Sequence, residues 1–278
     1  MPELAEVEHG RRLAESVGAG RRIERVTPTS DAIVYEGAPP RRIRRALEGA
    51  RVESVERLGK HLYFALDRRP WPLFHFGMTG AFRVRDAAPL RLAASPKELD
   101  TAWPPRFTKI HILFEDGGEL VMTNARRLGR IRLREDPLEE PPLSRLGFDP
   151  LQAMPSPQAF DRLLEGRRIT LKGLLLDQGF AAGVGNWIAD EVLYQARLDP
   201  RRPTDSLTVG ERRRMRAKLA HVVRRAVAVD ADKERFPRTW LFHHRWGRQE
   251  DATTTRGERI EFLTLAGRTT AWVPAVQG

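Results

Sequence analysis

Residues 174–203 read LLLDQGFAAGVGNWIADEVLYQARLDPRRP, and their reading decides the second half of the chain. An apolar helix runs into Gly183-Val184-Gly185-Asn186, and a second helix opens at once. Glycines ahead of a helix start let the backbone approach a ligand closely, and the unpaired N–H groups there form a natural phosphate site. A lone G-x-G-N turn is a weak signal, but with an apolar helix on either side the pattern is highly specific. On both sides of it the period is helical: PQAFDRLLEG and TLKGLLLDQ precede it, and VGERRRMRAKLAHVVRRAVAVD follows. Further on, RIEFLTLAGRTTAWV (259–273) reads as a hairpin. Upstream, residues 136–157 (DPLEEPPLSRLGFDPLQAMPSP) are dense in proline and suit an interdomain connection.

Before that connection the text is strand-like. RIERVTPT, ARVESVERLGKHLYFALD and KIHILFEDGGELVMTN alternate with period two, and the EDGG at 115–118 is a hairpin-turn signal. A short amphipathic stretch, 3–17, stands ahead of them with Leu4, Val7, Leu13, Ala14 and Val17 on one side. The expected class is α+β: a β domain over 1–136, a linker over 137–157, a helical domain over 158–230 and a small C-terminal hairpin over 231–278.

Composition limits the function. The chain of 278 residues carries 48 Lys plus Arg against 37 acids, a formal charge of +11, which predicts attraction to polyanions. Most of the basic residues are Arg and are spread along the whole chain, so nucleic acid is the expected partner. With no cysteine, disulfides, thiol catalysis and cysteine-ligated zinc are excluded. No apolar run reaches the ~18 residues needed to span a bilayer, and the N-terminus lacks a signal peptide's apolar core. A cytoplasmic monomer with no membrane association is expected, associated with the nucleoid through DNA.

The chain opens MPELAEVE. One reading of Pro2 is conformational: proline is favoured in the first turn of a helix, with Glu3 and Glu6 at the positive end of the dipole. The other is chemical. Removal of Met1 leaves Pro2 with a terminal secondary amine, whose reference pKa of about 7.7–8.0 is far below the lysine value near 10.4. Such an amine attacking a sugar C1′ gives an iminium ion, and a neighbouring carboxylate protonates the opening sugar. The opening alone leaves both readings standing. Three further segments bear on it: RLGKHLYF puts Lys60 at a Gly-containing turn between strands, HFGMTG (75–80) ends a strand with Met78 between glycines, and LAGRTTAWVPAVQ (265–277) places Arg268 in the loop of the terminal hairpin.

Together these segments resemble the formamidopyrimidine-DNA glycosylase / endonuclease VIII family from end to end. PELAEVE matches the family's opening, GKHLYF its lysine hairpin and LLLDQGFAAGVGNWIADE its helix–two-turns–helix. The resemblance implies an N-terminal β-sandwich domain with an N-terminal helix, then a helix–two-turns–helix domain ending in a β-hairpin finger. It implies a base-excision-repair DNA glycosylase with AP lyase activity on damaged double-stranded DNA, acting through a Schiff base. Pro2 is then the nucleophile, Glu3 the proton donor at the sugar and Lys60 the acid for β-elimination. Arg268 grips phosphate at the lesion and serves δ-elimination. A damaged base inside a duplex must be swung out, and apolar wedges replace its stacking. Met78 and Arg126 match the family's wedge, while Leu128 stands where the aromatic usually sits. Phosphate contacts are implied for Lys109, Arg167, Lys172, Gly185 and Asn186, with Lys109 where the family often has histidine. Glu6 belongs to the base pocket.

Two departures qualify the resemblance. The family finger is usually a four-cysteine zinc site; here the corresponding positions are Ala252, Thr255, Val273 and Val276, none a useful ligand. The finger is expected to be zincless, as some family members are, with no cofactor, and held by Trp272, Val273, Phe262 and Leu265. Purine-directed members carry a long Gly-rich loop where this chain has only DADKERFPRT (230–239). Oxidised or ring-opened purines are the first expectation and oxidised pyrimidines the alternative; a non-catalytic nucleic-acid binder is the other class. The run Arg212–Arg225, seven Lys and Arg with no acid, reads first as a solvated helix face and second as a DNA contact.

Overall fold

The computed structural model describes residues 2–87, 90 and 102–278. The chain divides into two compact units, Met1–Arg145 and Leu146–Gly278, the division falling inside the proline-dense stretch. No described helix is long and apolar enough to cross a membrane.

The first unit opens with α1 (Leu4–Gly18), followed by β1 (Ile23–Pro28), α2 (Pro40–Leu47), β2 (Val52–Leu58), β3 (His61–Leu66), β4 (Trp71–His75), β5 (Ala81–Val84), β6 (Thr108–Phe114), β7 (Glu119–Thr123) and β8 (Arg130–Arg134). The strands make two four-stranded antiparallel sheets, ordered β1-β6-β7-β5 and β2-β3-β4-β8. Alternation sets which face is buried: in β6, Ile110, Ile112 and Phe114 are fully buried while Lys109 and His111 are half-buried. Val55, Leu62, Phe64, Phe74 and Ile131 of the second sheet join the same core. Phe74 meets Phe82 edge to face at 5.1 Å, tying the sheets together.

The turn signals act locally as their chemistry requires. In the β6–β7 turn Gly117 takes φ +84°, and Asp116 Oδ1 accepts the Gly118 N–H at 3.0 Å. In the β2–β3 turn Leu58 pairs with His61, so Gly59 (φ +58°) and Lys60 are its two central residues. The strand-like reading of this half passes over α2: PRRIRRAL is two turns long and buries only Ile43, Ala46 and Leu47, at helical spacing, with Pro40 at its start. Strand β5, at four residues, is too short to stand out from its text, and β8 has arginine at three of its five positions.

The second unit contains α3 (Pro157–Leu164), α4 (Leu171–Leu176), α5 (Asn186–Ala196), α6 (Val209–Ala228), β9 (Glu261–Leu265), β10 (Arg268–Trp272) and α7 (Pro274–Gln277). Caps fix the helix starts: Ser156 accepts from Ala159 N–H, Thr170 from Gly173 N–H, and Thr208 closes a capping box with Glu211. Helix α5 is buried nearly all round, Asp190 and Glu191 included. The hairpin's own core is small: Leu241, Ala252, Ile260, Ala271 and Val273, with Tyr194, Phe262 and Val276 against it. Three of the four positions aligned with zinc ligands are thus apolar packing residues. The fourth, Thr255, is exposed beside the buried Thr254. These side chains do not fit a metal, and the described residues hold no group of three metal-ligating side chains.

Candidate active site

Pro2 is buried and stands one residue ahead of the Glu3 N-cap of α1, outside the first turn. The conformational reading of Pro2 therefore fails on position: the first helical bond runs from Val7 N–H to Glu3 C=O, at 3.0 Å. Met1, whose removal the chemical reading needs, lies outside the described residues. Glu3 is 2% exposed, and its N–H donates to Glu6 Oε2 at 3.0 Å. Pro2 and Glu6 line one small cavity with His9, Gly10, Phe76 and Phe82. Gly10 makes this closeness possible, because a Cβ there would lie 2.8 Å from the Phe76 ring.

Burial, reinforced by the Glu3 charge, pushes the Glu6 carboxyl up to about 7. A carboxyl whose pKa is raised on folding binds its proton more tightly in the folded state, so its burial costs nothing below about 4.5 and its full penalty above about 7. Glu6→Gln keeps the acceptor for the Glu3 N–H and removes that penalty. The expected outcome is a melting temperature equal to the parent's at about pH 4.5 and above it at about pH 8, on either side of that window; thermal scans across this range check it.

The Lys60 turn is bolted to α1. Arg57, 2% exposed, gives Nε to Glu8 Oε2 of α1 at 2.9 Å and Nη1 to Gly59 C=O at 3.0 Å. A buried ion pair of this kind fixes geometry more than it adds stability. The rings of His61 and His75 lie 4.8 Å apart, tilted by 31°, behind the turn. Burial, aided for both by the Lys60 charge, lowers them to about 3 and about 4, so both are neutral at pH 7.

Asn124 joins the loops that carry Met78, Arg126 and Leu128. It is fully buried, gives Nδ2 to Phe76 C=O at 2.8 Å and accepts Gly129 N–H at 3.1 Å. Gly77 (φ +64°) sits so close to this second loop that a Cβ would lie 2.4 Å from the Leu128 carbonyl carbon. Met78 is half-buried; Arg126 and Leu128 are exposed, Leu128 by 42%. Asn124→Ala strands the Gly129 N–H and removes one of the two donors to the Phe76 carbonyl, which keeps Gly80 N–H at 2.9 Å, and is expected to cost roughly 1–3 kcal/mol, read by denaturant unfolding.

Lys109 does not point freely into solvent. Its ammonium lies 2.9 Å from Asp31 Oδ2, and Arg127 binds the same carboxylate at 3.0 Å. Burial works to raise the Asp31 carboxyl, but the bonds from Arg127 and Lys109 hold it well below the usual carboxylate range.

In the second unit Gly185 is the N-cap of α5 and Asn186 its first residue. Arg268 is exposed and opens β10 opposite Leu265; the turn itself is Ala266 and Gly267. Arg167 is half-buried, giving Nε to Leu163 C=O at 3.0 Å and Nη1 to Asp177 at 3.2 Å. Lys172 requires correction as a DNA contact. It is 0% exposed, ion-paired to Asp190 and donating to Asn186 C=O at 3.0 Å, so its ammonium is spent inside the unit. Along α6, Arg214 and Arg216 bond the carbonyls of Ala196 and Pro155, while Arg213, Arg224 and Arg225 are exposed. Asp190, Arg57 and Asn124 escape a reading of motifs because each acts through backbone or charge partners distant in sequence.

Comparison with known proteins agrees along the chain. Residues 1–131 match the formamidopyrimidine-DNA glycosylase N-terminal domain, and 146–237 match its H2TH domain. The whole chain is 39% identical to a formamidopyrimidine-DNA glycosylase of Arabidopsis thaliana, over 71% of that protein, and 36% identical to one of Thermus thermophilus, over 99% of it. The crystal structure of the MutM (Fpg) protein from Thermus thermophilus covers all of this chain and 99% of its own, at 34% identity and TM-score 0.76. A Lactococcus lactis formamidopyrimidine-DNA glycosylase, non-covalently bound to AP-site DNA, shares the fold at TM-score 0.80 and 22% identity, over 99% of both chains. On two domain models and relatives matched along its full length, this chain belongs to the formamidopyrimidine-DNA glycosylase family.

Proposed function

We propose that this protein is a bifunctional DNA glycosylase and AP lyase of base excision repair, acting on damaged duplex DNA through the Pro2 nitrogen. The observation that carries the reading is the bracket Glu8–Arg57–Gly59, which holds the Lys60 turn to the helix that follows Pro2 and Glu3. The Pro2 lone pair attacks C1′, the bond to the damaged base breaks, and Glu3 protonates the ring oxygen as the sugar opens. The resulting iminium acidifies the C2′ proton; its loss expels the 3′ phosphate, with Lys60 as the acid. A second elimination releases the 5′ phosphate, with Arg268 gripping phosphate, and hydrolysis frees the amine. Gly185 and Asn186 support phosphate binding at a helix start. Met78, Arg126 and Leu128 fill the space left by the extruded nucleotide.

Oxidised or ring-opened purines are the proposed substrates, supported by Glu6 in the cavity beside Pro2. Oxidised pyrimidines are favoured by a different observation. Residues 230–239 hold only a short 3-10 turn, Lys233–Arg235, and Phe236 is packed on Trp187 and Trp240 rather than extended as a loop. Borohydride trapping on duplexes that each carry one defined lesion tests the reading: a covalent adduct on abasic DNA is expected, and its absence defeats the proposal. The lesion giving fastest excision decides between the two substrate classes.

A further inference from the structure

The hairpin that carries Arg268 has two strands of five residues. An isolated hairpin of that size is marginal in water, and its turn puts Ala266 at φ +47° beside Gly267 at +68°, a conformation alanine adopts at a cost. The chain has no cysteine to staple it, and its apolar cluster is small. What fixes the hairpin is α5. Asn186 and Asp190 stand four residues apart on one face of this helix, a rise of ~6 Å. Thr269 and Ala271 stand two apart on one edge of β10, a rise of ~6.8 Å. The two spacings match, and the pairs meet: Asn186 Nδ2 donates to Thr269 C=O at 2.8 Å, and Ala271 N–H donates to Asp190 Oδ2 at 3.1 Å. Edge groups of β10 are thereby bonded by helix side chains.

Asp190 does more than cap an edge. Fully buried, it takes the Lys172 ammonium on Oδ1, and on Oδ2 the Arg245 guanidinium, at 2.6 and 3.1 Å. Lys172 in turn holds the Asn186 carbonyl at the start of α5. One carboxylate therefore joins α4, α5, the Arg245 segment and β10.

We propose that Asp190 is the positioning residue of Arg268, locking the hairpin to the Gly185–Asn186 helix start so that both are presented to the DNA backbone as one phosphate-binding unit. This rests on the reading of Arg268 given above. Asp190→Asn, assayed on abasic duplex beside Arg268→Ala and the double variant, tests it. The expected result is that trapping and β-elimination stay within about twofold of the parent while δ-elimination falls by roughly tenfold or more, since small misplacements of a positioned group cost this much. The β-product then accumulates, and adding Asp190→Asn to Arg268→Ala costs nothing further. A folded Asp190→Asn with δ-elimination unchanged overturns the proposal, as does an equal slowing of trapping, β and δ steps, which signals general weakening. If Arg268→Ala leaves δ-elimination intact, the proposal falls with the role of Arg268, and the fault lies in that role. Should Asp190→Asn fail to fold because Lys172 and Arg245 lose their counter-charge, Asp190→Leu with Lys172→Met and Arg245→Met keeps the interior filled and removes all three buried charges. It still lacks an acceptor for Ala271 N–H, and the same split between β and δ products is expected of it.

Discussion

Protein whose Pro2 nitrogen is acylated, or which retains Met1, is expected to lose trapping, base excision and strand scission together, by roughly 10³-fold or more, the scale seen when a covalent nucleophile is removed. Protonation favours this amine over any lysine. At about pH 7.5 a terminal amine of ordinary pKa is about a quarter deprotonated, against about a tenth of a per cent for a lysine, an advantage of roughly two hundredfold. Position adds to it: Pro2 lies just ahead of the N-cap of α1, where the helix dipole disfavours an ammonium. Because Pro2 stands outside the helical bonds, which begin at Val7 N–H, its nitrogen has no structural duty in the helix that reaction would disturb. Pro2→Gly, processed to a free terminal glycine, keeps an amine in place and is expected to lose far less than the blocked protein. Intact-mass spectrometry identifies the terminus in each preparation, and borohydride trapping on abasic duplex reads the activity. A blocked terminus with undiminished trapping moves the nucleophile elsewhere.

Glu3→Gln is expected to slow excision of a damaged base by about 10²–10⁴, the range for a positioned proton donor. The substitution keeps the shape of the side chain and leaves the Glu3 carbonyl available to Val7 N–H, so little of the loss comes from the helix start. Glu3 is almost wholly buried, and water does not readily replace it as the acid. There is a second readout. The Glu3 charge is one of the causes that raise Glu6, so removing it lowers the Glu6 pKa from about 7. The penalty for burying the Glu6 charge is then smaller, and the loss of parental stability between about pH 4.5 and 7 shrinks and ends at lower pH in Glu3→Gln. Single-turnover excision beside thermal scans at several pH values separates the chemical role from the electrostatic one.

Much of the fold is legible in the sequence where local chemistry and tertiary packing agree. The β6–β7 hairpin follows from alternation around EDGG, and α5 from glycines ahead of an apolar run. What stays hidden is what only packing decides: α2 has three apolar residues to bury, and β8 is mostly arginine. The same division holds at the candidate site. Pro2, Glu3 and Lys60 are visible as types of residue at telling places, whereas the groups that orient them are not. Arg57 looks like one more cation in a basic chain until Glu8, 49 residues away, is seen against it. Lys172 errs in the opposite direction, since a lysine beside a phosphate-binding turn reads as a contact until its carboxylate partner is placed.

The terminal hairpin is gripped by oxygen and nitrogen, not sulfur. Peroxide, a source of oxidised bases, finds no sulfhydryl anywhere in the chain to convert to sulfenic or sulfinic acid. A carboxylate bonded to a lysine, an arginine and a backbone amide is inert to such an oxidant. The hold of α5 on the hairpin is thus built from groups that peroxide leaves alone, and the oxidisable thioether at the candidate site is that of Met78, in the other unit.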